Sequence, residues 1–397
     1  MRISSSQIFQ LGLTGIANNQ AKLNRTQQEI SSGQRLLNAS DDPVGAVRAV
    51  GIDTAIAKAE QYVENGNYAR TRLSNQESTV SSVINAMQRV NELTIQANNA
   101  SQSNETRAAI AREVREQFDN ILQLANTRAS DGAYLFSGYQ EQSQPFSFSN
   151  GTLQYHGDDG RRELQLGPSR SVADADPGSR VFTGIRTGNG HFTTSGAATN
   201  TGSVVIDSGS VTDYGVWDQR NYTLRFSAAD SWEVLDDTAT VIATGSYDEQ
   251  TDISFAGVTI AVSGPAAAGD EFAIAPSARD DIFSIVDRLA QALETPANSG
   301  AARASTNNAL NQEMSNIAQA LDHLVEIQTS IGTRLNVIDQ EEDINQNVKL
   351  QLQESLSGIR DVDVVEAATR FNQTLVALQA SQQAFAKVQQ LSLFNYL

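Results

Sequence analysis

The chain has 397 residues, of which 40% are hydrophobic, 19% are charged and none is cysteine. Its formal net charge of −18 argues against a surface that binds nucleic acid or an anionic membrane, because both need clustered Lys and Arg. The lack of cysteine excludes disulfides, thiolate catalysis and zinc–cysteine sites. Residues 141–277 carry 18 acidic and 7 basic side chains, so most of the negative charge belongs to one solvated region.

The amino-terminal flank is predicted to be helical. Its apolar residues recur at spacings of 4 and 3, the heptad pattern of a coiled coil, with Gln20 and Gln27 as polar interruptions. The apolar positions of this predicted seam are Phe9, Leu13, Ile16, Leu23 and Ile30. The first 20 residues contain no apolar stretch of signal-peptide length, so we expect any export to bypass a cleaved signal.

Two short segments separate this helix from the next. Residues 31–33 (Ser-Ser-Gly) predict a helix end, and residues 40–43 (Ser-Asp-Asp-Pro) predict a restart. Asp42 suits the N-cap and Pro43 the first helical position, because proline fixes a helical φ and its missing N–H needs no partner there.

Three sets of mostly apolar residues at helical spacing, which we call stripes, lie in the inner parts of the two flanks. They predict a bundle of helices that folds by itself. No Gly or Pro occurs between residues 67 and 131, and a helix break is expected at residues 101–104. The stripes are Val80, Val83, Met87, Val90, Thr94 and Ala97; Ile110, Val114, Phe118, Ile121 and Ala125; and Ile317, Leu321, Leu324, Gln328, Ile331, Leu335 and Ile338.

The region between the flanks has a different composition. Residues 141–277 hold 16 of the 27 Gly and 5 of the 7 Pro. Short β-prone runs occur at residues 203–206, 222–226, 232–235, 253–255 and 258–262, separated by turn residues. We therefore predict one or two small antiparallel β units.

The carboxyl-terminal flank repeats the heptad spacing and is predicted to pair with the amino-terminal helix. Its positions are Val364, Ala368, Phe371, Leu375, Leu378, Gln382 and Phe385. Glutamines in both seams reduce the apolar area that pairing buries, whereas ordering the backbone costs about 1–2 kcal/mol per residue. We expect these ends to be disordered in the monomer and to become ordered on assembly.

The layout predicts an α+β fold, in which a terminal α-helical coiled coil and a long-helix bundle carry an inserted antiparallel β-rich domain. The terminal segment is expected at residues 1–42 and 355–397, and the central bundle at 43–140 and 278–354. An outward β-rich insert of one or two subdomains is expected at 141–277.

No catalytic or metal-binding motif is recognisable. His156, His191 and His323 are far apart and lack metal-ligand spacing. Asp174 and Asp176 precede a Pro-Gly turn and are interpreted as turn residues. We expect no enzyme activity, no cofactor and no metal site.

The motifs instead resemble the flagellin and hook-associated protein family. Residues 30–36 and 40–43 resemble the amino-terminal signature shared across that family. Residues 1–4, 132–139 and 390–394 resemble the member that forms the junction between hook and filament. The residues carrying these motifs are Ser32, Gly33, Arg35, Ser40, Asp41, Asp42, Pro43, Tyr134, Phe136, Gly138 and Tyr139, and Leu391, Leu393 and Phe394 extend the assembly seam at the carboxyl end.

This resemblance implies a secreted structural part of the bacterial flagellum that serves motility. The terminal helices would stack around a central channel in a ring of about eleven copies, between the first hook-associated protein and flagellin. The resemblance also implies export through the flagellar type III apparatus and a cytoplasmic chaperone on the carboxyl-terminal helix.

Two alternatives remain open at the level of sequence. The chain could be a flagellin filament subunit itself, or the insert could be a surface enzyme or a glycan-binding module. The aromatic residues suited to sugar stacking in the insert are Trp217, Tyr222 and Trp232, for which packing in the core of a small β unit is the simpler explanation.

Overall fold

The computed structural model describes residues 5–99, 101–149 and 151–394. Helices form both flanks and antiparallel strands form the middle, which confirms the predicted α+β class. The described residues contain α1 (Ser5–Ser32), α2 (Pro43–Ala97), α3 (Asn104–Ala125), α4 (Gly178–Phe182), α5 (Ile282–Glu294), α6 (Gly300–Arg360) and α7 (Val364–Phe394).

The strands pair in five antiparallel sheets within the described chain. They are β1 (Phe146–Ser149), β2 (Thr152–Tyr155), β3 (Glu163–Gln165), β4 (Ser171–Ala173), β5 (Thr183–Arg186), β6 (Phe192–Gly196), β7 (Val205–Ile206), β8 (Ser210–Val211), β9 (Tyr222–Ala228), β10 (Ser231–Leu235), β11 (Val241–Ser246), β12 (Gln250–Phe255), β13 (Val258–Ser263), β14 (Glu271–Pro276) and β15 (Arg279–Asp281). The largest sheet has the order β11-β10-β9-β14-β6, and the second has β12-β13-β7 with β8 also on β13. Three two-stranded sheets pair β1 with β2, β3 with β4 and β15 with β5.

Contacts within the chain divide it into two compact units. Unit 1 comprises the residues up to Glu64 and those from Glu341 onward, and unit 2 comprises Asn65–Gln340. Both boundaries fall inside long helices, α2 and α6. The predicted terminal segment of residues 1–42 and 355–397 lies within unit 1.

Local capping sets the helix boundaries close to the predicted positions. Gly33, which follows the last residue of α1, has a φ of +71°, a conformation that favours glycine. The side chain of Asp42 accepts a hydrogen bond from the Gly45 N–H at 2.9 Å, and Pro43 is the first residue of α2. Ser103 caps α3 through the Thr106 N–H at 3.2 Å.

The predicted helical stripes form the first core of unit 2. Every residue of the α2 stripe is buried, as is every residue of the α3 stripe. On α6, Ile317, Leu324, Ile331 and Ile338 are buried at positions of the predicted heptad. Each fully buried side chain of this size contributes about 1.5–3 kcal/mol, so the stripes are a main source of stability.

Strands β1–β5 belong to this helical core. Phe146 of β1 and Phe182 of α4 are completely buried. Their rings lie 5.4 and 5.9 Å from that of Phe283 on α5, measured between centroids. The described residues between 146 and 185 of the predicted insert therefore share the core of the helices, and the separate β core begins at Phe192.

The two larger sheets enclose the second core. Side chains from β9, β10 and β14 in one sheet and from β12 and β13 in the other are buried together, as in a β-sandwich. Trp217, Tyr222 and Trp232 are also buried in this core. The Trp217 and Tyr222 rings pack with neighbouring aromatic residues, and Trp232 donates its indole N–H to the Ser246 carbonyl at 3.1 Å. None of the three is presented for sugar stacking.

The chain enters the sandwich after Thr187 and returns to the helical core at Ala278, and we call this pair of adjacent residues the neck. The Thr187 N–H donates to the Ala278 carbonyl at 3.0 Å, and the Ala278 N–H donates to the Thr187 hydroxyl at 3.0 Å. Polar side chains of α6 contact the backbone near this neck: Asn308 bonds the Ile206 N–H and the Val204 carbonyl, and Asn316 bonds the Gly188 N–H. These hydrogen bonds join the backbone of the sandwich to α6.

Candidate assembly surface

Within the described residues, no group of His, Cys, Asp and Glu side chains is arranged to hold a metal ion. Over the same part of the chain, each helix is too short or too polar to cross a bilayer. The features that remain to be explained are the terminal helices, the motif turns and the exposed apolar side chains.

Helices α1 and α7 pack against each other in unit 1. Thr26 on α1 and Ala367 and Leu378 on α7 are buried, and Ile16 and Leu23 are half-buried. The Phe9 and Phe385 rings meet at the end of this pair, with centroids 5.1 Å apart. The intrachain contact therefore depends on few fully buried apolar side chains.

Small and polar residues complete this contact. The Asn19 side chain donates a hydrogen bond to the Ser381 hydroxyl at 3.2 Å. The buried Glu29 carboxylate accepts from Arg370 at 3.1 Å. Gly12 lies against the Phe385 ring, since a Cβ atom built on it would be 2.7 Å from Phe385 Cδ2. Close approach of the Phe385 ring to the backbone of α1 needs a residue without a side chain at this position.

The structure places the predicted seam residues in two groups. Phe9, Ile16, Leu23, Ile30, Phe371, Leu375, Leu378 and Phe385 lie along the contact between α1 and α7 or beside it. Leu13 and Val364 are 45% and 58% exposed, because the contact runs along Gly12 and Ala367. Leu391, Leu393 and Phe394 continue the backbone of α7, and their side chains are outside the described part of the structure, as are residues 1–4.

The amino-terminal motif holds the chain at the turn between α6 and α7. The Gly33 carbonyl accepts from the Val362 N–H at 3.0 Å, and the Arg35 N–H donates to the Arg360 carbonyl at 2.8 Å. The Arg35 guanidinium donates to the Ile359 carbonyl at 2.8 Å. Two turns far apart in sequence are thereby joined by backbone hydrogen bonds.

The other motif residues support this turn from within. The Ser32 hydroxyl accepts from the Gln34 N–H at 3.1 Å. Asp41 accepts from the Asn38 N–H at 3.0 Å and pairs with Arg25 at 3.3 Å. Ser40 is exposed. The motif therefore acts as a capped connection between two helices.

The second motif, in unit 2, is a turn packed on α4. The Phe136 carbonyl accepts from the Gly178 N–H at 2.8 Å and from the Tyr155 hydroxyl at 3.0 Å. Burial raises the pKa of Tyr155 to about 12, so its hydroxyl remains a donor across the physiological range. Tyr134 stacks under Arg128, with 4.3 Å between the guanidinium carbon and the ring centroid.

Gly138 is the residue of this turn that tolerates substitution least. It has a φ of +68°, and a Cβ atom there would lie 2.3 Å from the Asp158 carbonyl oxygen. The next residue, Tyr139, donates its N–H to the Asp158 side chain at 2.9 Å and its hydroxyl to the Arg161 carbonyl at 2.7 Å. Both the backbone conformation and the space therefore require glycine.

We expect Gly138→Ala to lower the free energy of unfolding of unit 2 by about 2 kcal/mol or more, through combined strain and overlap. Gly132→Ala is the matched control, because Gly132 has a φ of +84° and nothing within 4 Å of its added Cβ. Urea unfolding of both variants measures the difference. Equal losses would mean that the Asp158 contact is unimportant.

A buried ionic cluster was not anticipated from the sequence, which indicated only a turn at Asp174 and Asp176. The Asp176 carboxylate is completely buried and pairs with Arg161 at 2.6 Å, with Arg180 at 3.2 Å and with Arg334 of α6. The Asp176 carbonyl accepts a hydrogen bond from the side-chain amide of Gln76 on α2 at 2.8 Å, and the Asp176 N–H donates to the Gln76 side-chain oxygen at 2.9 Å. Asp176 thus ties the turn to two long helices.

Asp174 forms a second pairing beside it. The Asp174 carboxylate contacts Arg162 at 2.7 Å and the buried Arg72 of α2 at 3.3 Å. The signal present in the sequence was an Arg-Arg pair and an Asp-x-Asp pair flanking the short strands β3 and β4. The pairing register of β3 and β4 brings these arginines next to the aspartates, and that register cannot be predicted from the sequence.

Exposed apolar side chains lie on the helices of unit 1. Val44, Val47 and Val50 occur at intervals of three along α2, and they are 64%, 75% and 65% exposed. Other large exposed apolar residues of this unit include Leu11 on α1, Ile344 and Leu350 on α6, and Val364, Val365 and Val376 on α7. These valines leave apolar area of the unit 1 helices exposed in the single chain.

Comparison with known proteins identifies the family. Residues 3–141 match the bacterial flagellin N-terminal helical region, and residues 314–397 match the C-terminal helical region. The crystal structure of Xanthomonas campestris FlgL is 36% identical, with a TM-score of 0.73, and covers 77% of this chain and 99% of that one. This chain belongs to the flagellin and hook-associated protein family.

Two further members support the placement within the family. Flagellar hook-associated protein 3 of Escherichia coli strain K12 is 26% identical over 396 residues, spanning 100% of this chain and 99% of the relative. The structure of hook-associated protein 3 from Legionella pneumophila is 32% identical, with a TM-score of 0.75, and covers 78% of this chain and 98% of that one. The predicted resemblance is confirmed, and the chain is a structural component of the bacterial flagellum.

Proposed function

We propose that this chain is the adaptor that joins the hook to the filament. In this proposal a ring of about eleven copies sits on the first hook-associated protein and presents a lattice to which flagellin adds. The chain is exported through the flagellar type III apparatus, with a cytoplasmic chaperone on α7 before export. It acts by assembly and not by catalysis.

The observation that carries the proposal is the set of exposed apolar side chains on unit 1. The chain belongs to a family of flagellar proteins, so we expect these side chains to contact other copies or other flagellar proteins. The contact between α1 and α7 buries few large side chains, while valines of α2 and α7 face solvent. In a ring, neighbouring copies would cover these valines and add the burial that the helix pair lacks. Ordering of the terminal helices and ring formation would then be coupled.

A deletion strain tests the proposal. We expect it to build hooks and to release flagellin into the medium, because flagellin has no lattice on which to polymerise. Electron microscopy and an immunoblot of the medium give the two readouts. Filaments of normal length on a strain lacking this protein would contradict the proposal.

Complementation of that strain makes the test specific to the apolar surface. Val47→Glu, at a 75% exposed position in the chain, should fold normally and fail to restore filaments, since it places a charge in the proposed contact. Val241→Glu is the control, because Val241 is an exposed valine of β11 in the sandwich. Equal restoration by both variants would remove the α2 valines from the interface.

The second candidate, a filament subunit, rests on the similarity to flagellins. Flagellin of Escherichia coli strain K12 is 29% identical over 119 residues, which is 30% of this chain. Quantifying the chain in purified filaments separates the two candidates. A filament subunit would be the main protein along the length, whereas an adaptor would be confined to one ring.

A further inference from the structure

A group of arginines surrounds a surface depression in unit 2. The depression has a volume of about 520 Å³ and is lined by Arg161, Arg180 and Arg279, with Asp159, Ser179 and His323 in its wall. We refer to it as the arginine pocket. Its concentration of cations contrasts with the formal charge of −18 for the whole chain.

The carboxylates around the arginine pocket only partly balance its positive charge. Arg161 and Arg180 share the buried Asp176 carboxylate with Arg334, and Asp159 accepts a hydrogen bond from Ser179. Arg279 donates to the Gly184 carbonyl at 3.3 Å and, among the residues that the structure describes, forms no ion pair. The Glu326 carboxylate also acts on His323 in the pocket wall. Counting Arg334, which pairs with Asp176 but does not line the pocket, four arginines therefore face three carboxylates, which leaves a formal excess of one positive charge.

A fifth arginine lies beside the arginine pocket without lining it. Arg186 of β5 lies directly opposite Arg279 of β15 in the antiparallel pair. Like charges at directly opposite positions destabilise a pair of strands. Arg186 donates to the Gly190 carbonyl at 3.3 Å and, within the described ranges, has no carboxylate partner either. An anion held by Arg279 would reduce the repulsion between Arg279 and Arg186.

The guanidinium groups of the arginine pocket retain free donors. Each guanidinium has five N–H groups, and in the described part of the chain Arg161, Arg180 and Arg279 each donate one hydrogen bond. His323 is bonded through Nε2 to the Arg180 carbonyl at 2.9 Å, and burial lowers its pKa. The excess charge thus comes from the arginines, whose planar forks suit the oxygens of phosphate and carboxylate groups.

We propose that the arginine pocket binds a multivalent oxyanion, held by Arg161, Arg180 and Arg279. A volume of about 520 Å³ admits a tricarboxylate as well as inorganic phosphate. This site goes beyond the adaptor role, because it is complete within unit 2 of a single chain.

Isothermal titration of the full chain tests the site. Inorganic phosphate and citrate are the two probes, each titrated at constant ionic strength with chloride as the background anion. At least one probe should bind saturably with one site per chain. Arg279→Gln should weaken that binding about tenfold, the effect of losing one charge-assisted contact. Arg279 is exposed and bonds one carbonyl, so the variant should fold.

Arg303→Gln is the matched control. Arg303 is also exposed and donates to a backbone carbonyl, that of Ser299, at 3.4 Å, but it does not line the arginine pocket. Its affinity for the probe should equal that of the unmodified chain. Tighter phosphate binding would indicate a phosphate group as the ligand, and tighter citrate binding would indicate clustered carboxylates.

Absence of saturable binding of both probes would overturn the proposal. Equal weakening in Arg279→Gln and Arg303→Gln would do the same, since it would mean that net charge alone attracts the anions. The titration uses the isolated chain, so its failure would leave the filament test of the adaptor role unaffected.

Discussion

Replacing Asp176 with alanine should lower the free energy of unfolding of unit 2 by about 3 kcal/mol. The substitution removes a completely buried carboxylate and leaves Arg161, Arg180 and Arg334 facing one another without it. Removing one partner of a buried ionic group costs about 3–5 kcal/mol, and partial exposure of the arginines favours the lower end of this range. Urea unfolding monitored by circular dichroism measures the change.

Asp339→Ala is the matched control for this experiment. Asp339 pairs with Arg70 at 2.9 Å, but its side chain is 63% exposed, and pairs of this kind contribute about 0–1 kcal/mol. Both variants remove one carboxylate from unit 2, so any general effect of net charge is shared. Similar losses in the two variants would show that Asp176 does not organise the turn as the geometry indicates.

Gly12→Leu should prevent filament assembly when it replaces the unmodified chain in the deletion strain. A Cβ atom at residue 12 would already overlap the Phe385 ring, so a leucine forces α1 and α7 apart. Overpacking of this kind costs about 1–3 kcal/mol, which is large for a contact with few buried side chains. Swimming in soft agar and filament counts by electron microscopy are the measurements.

Gly15→Leu on the same helix is the control. Nothing lies within 4 Å of a Cβ atom at Gly15, and leucine raises helix propensity by the same amount at both positions. We expect filaments with Gly15→Leu and few or none with Gly12→Leu. Normal filaments with both variants would mean that the pairing of α1 with α7 is not required in the assembly.

Helix boundaries and helical core positions were predictable because local chemistry determines them. Asp42, Pro43 and Ser103 act through caps within four residues, and the α2 and α3 stripes are buried at the heptad positions. Long strands with alternating burial, such as β9, were also predictable. These features need no knowledge of the partner element.

The features that escaped prediction depend on distant residues. Strands β3 and β4 are three residues long, too short for a pattern, and their register decides which charges meet Asp174 and Asp176. On α1 the spacing fits Leu13 as well as Gly12, and hydrophobicity favours leucine. The close approach of Phe385 places glycine in the contact instead, which can be known only from the other helix.

The neck at Thr187 and Ala278 has a consequence for evolution. Because the chain enters and leaves the sandwich at adjacent residues, a tight turn could replace the intervening 90 residues without displacing β5 from β15. The asparagines of α6 that contact the sandwich would exchange protein hydrogen bonds for water. Relatives can therefore vary the size of this outer module, or exchange it for another, while the helices keep their geometry.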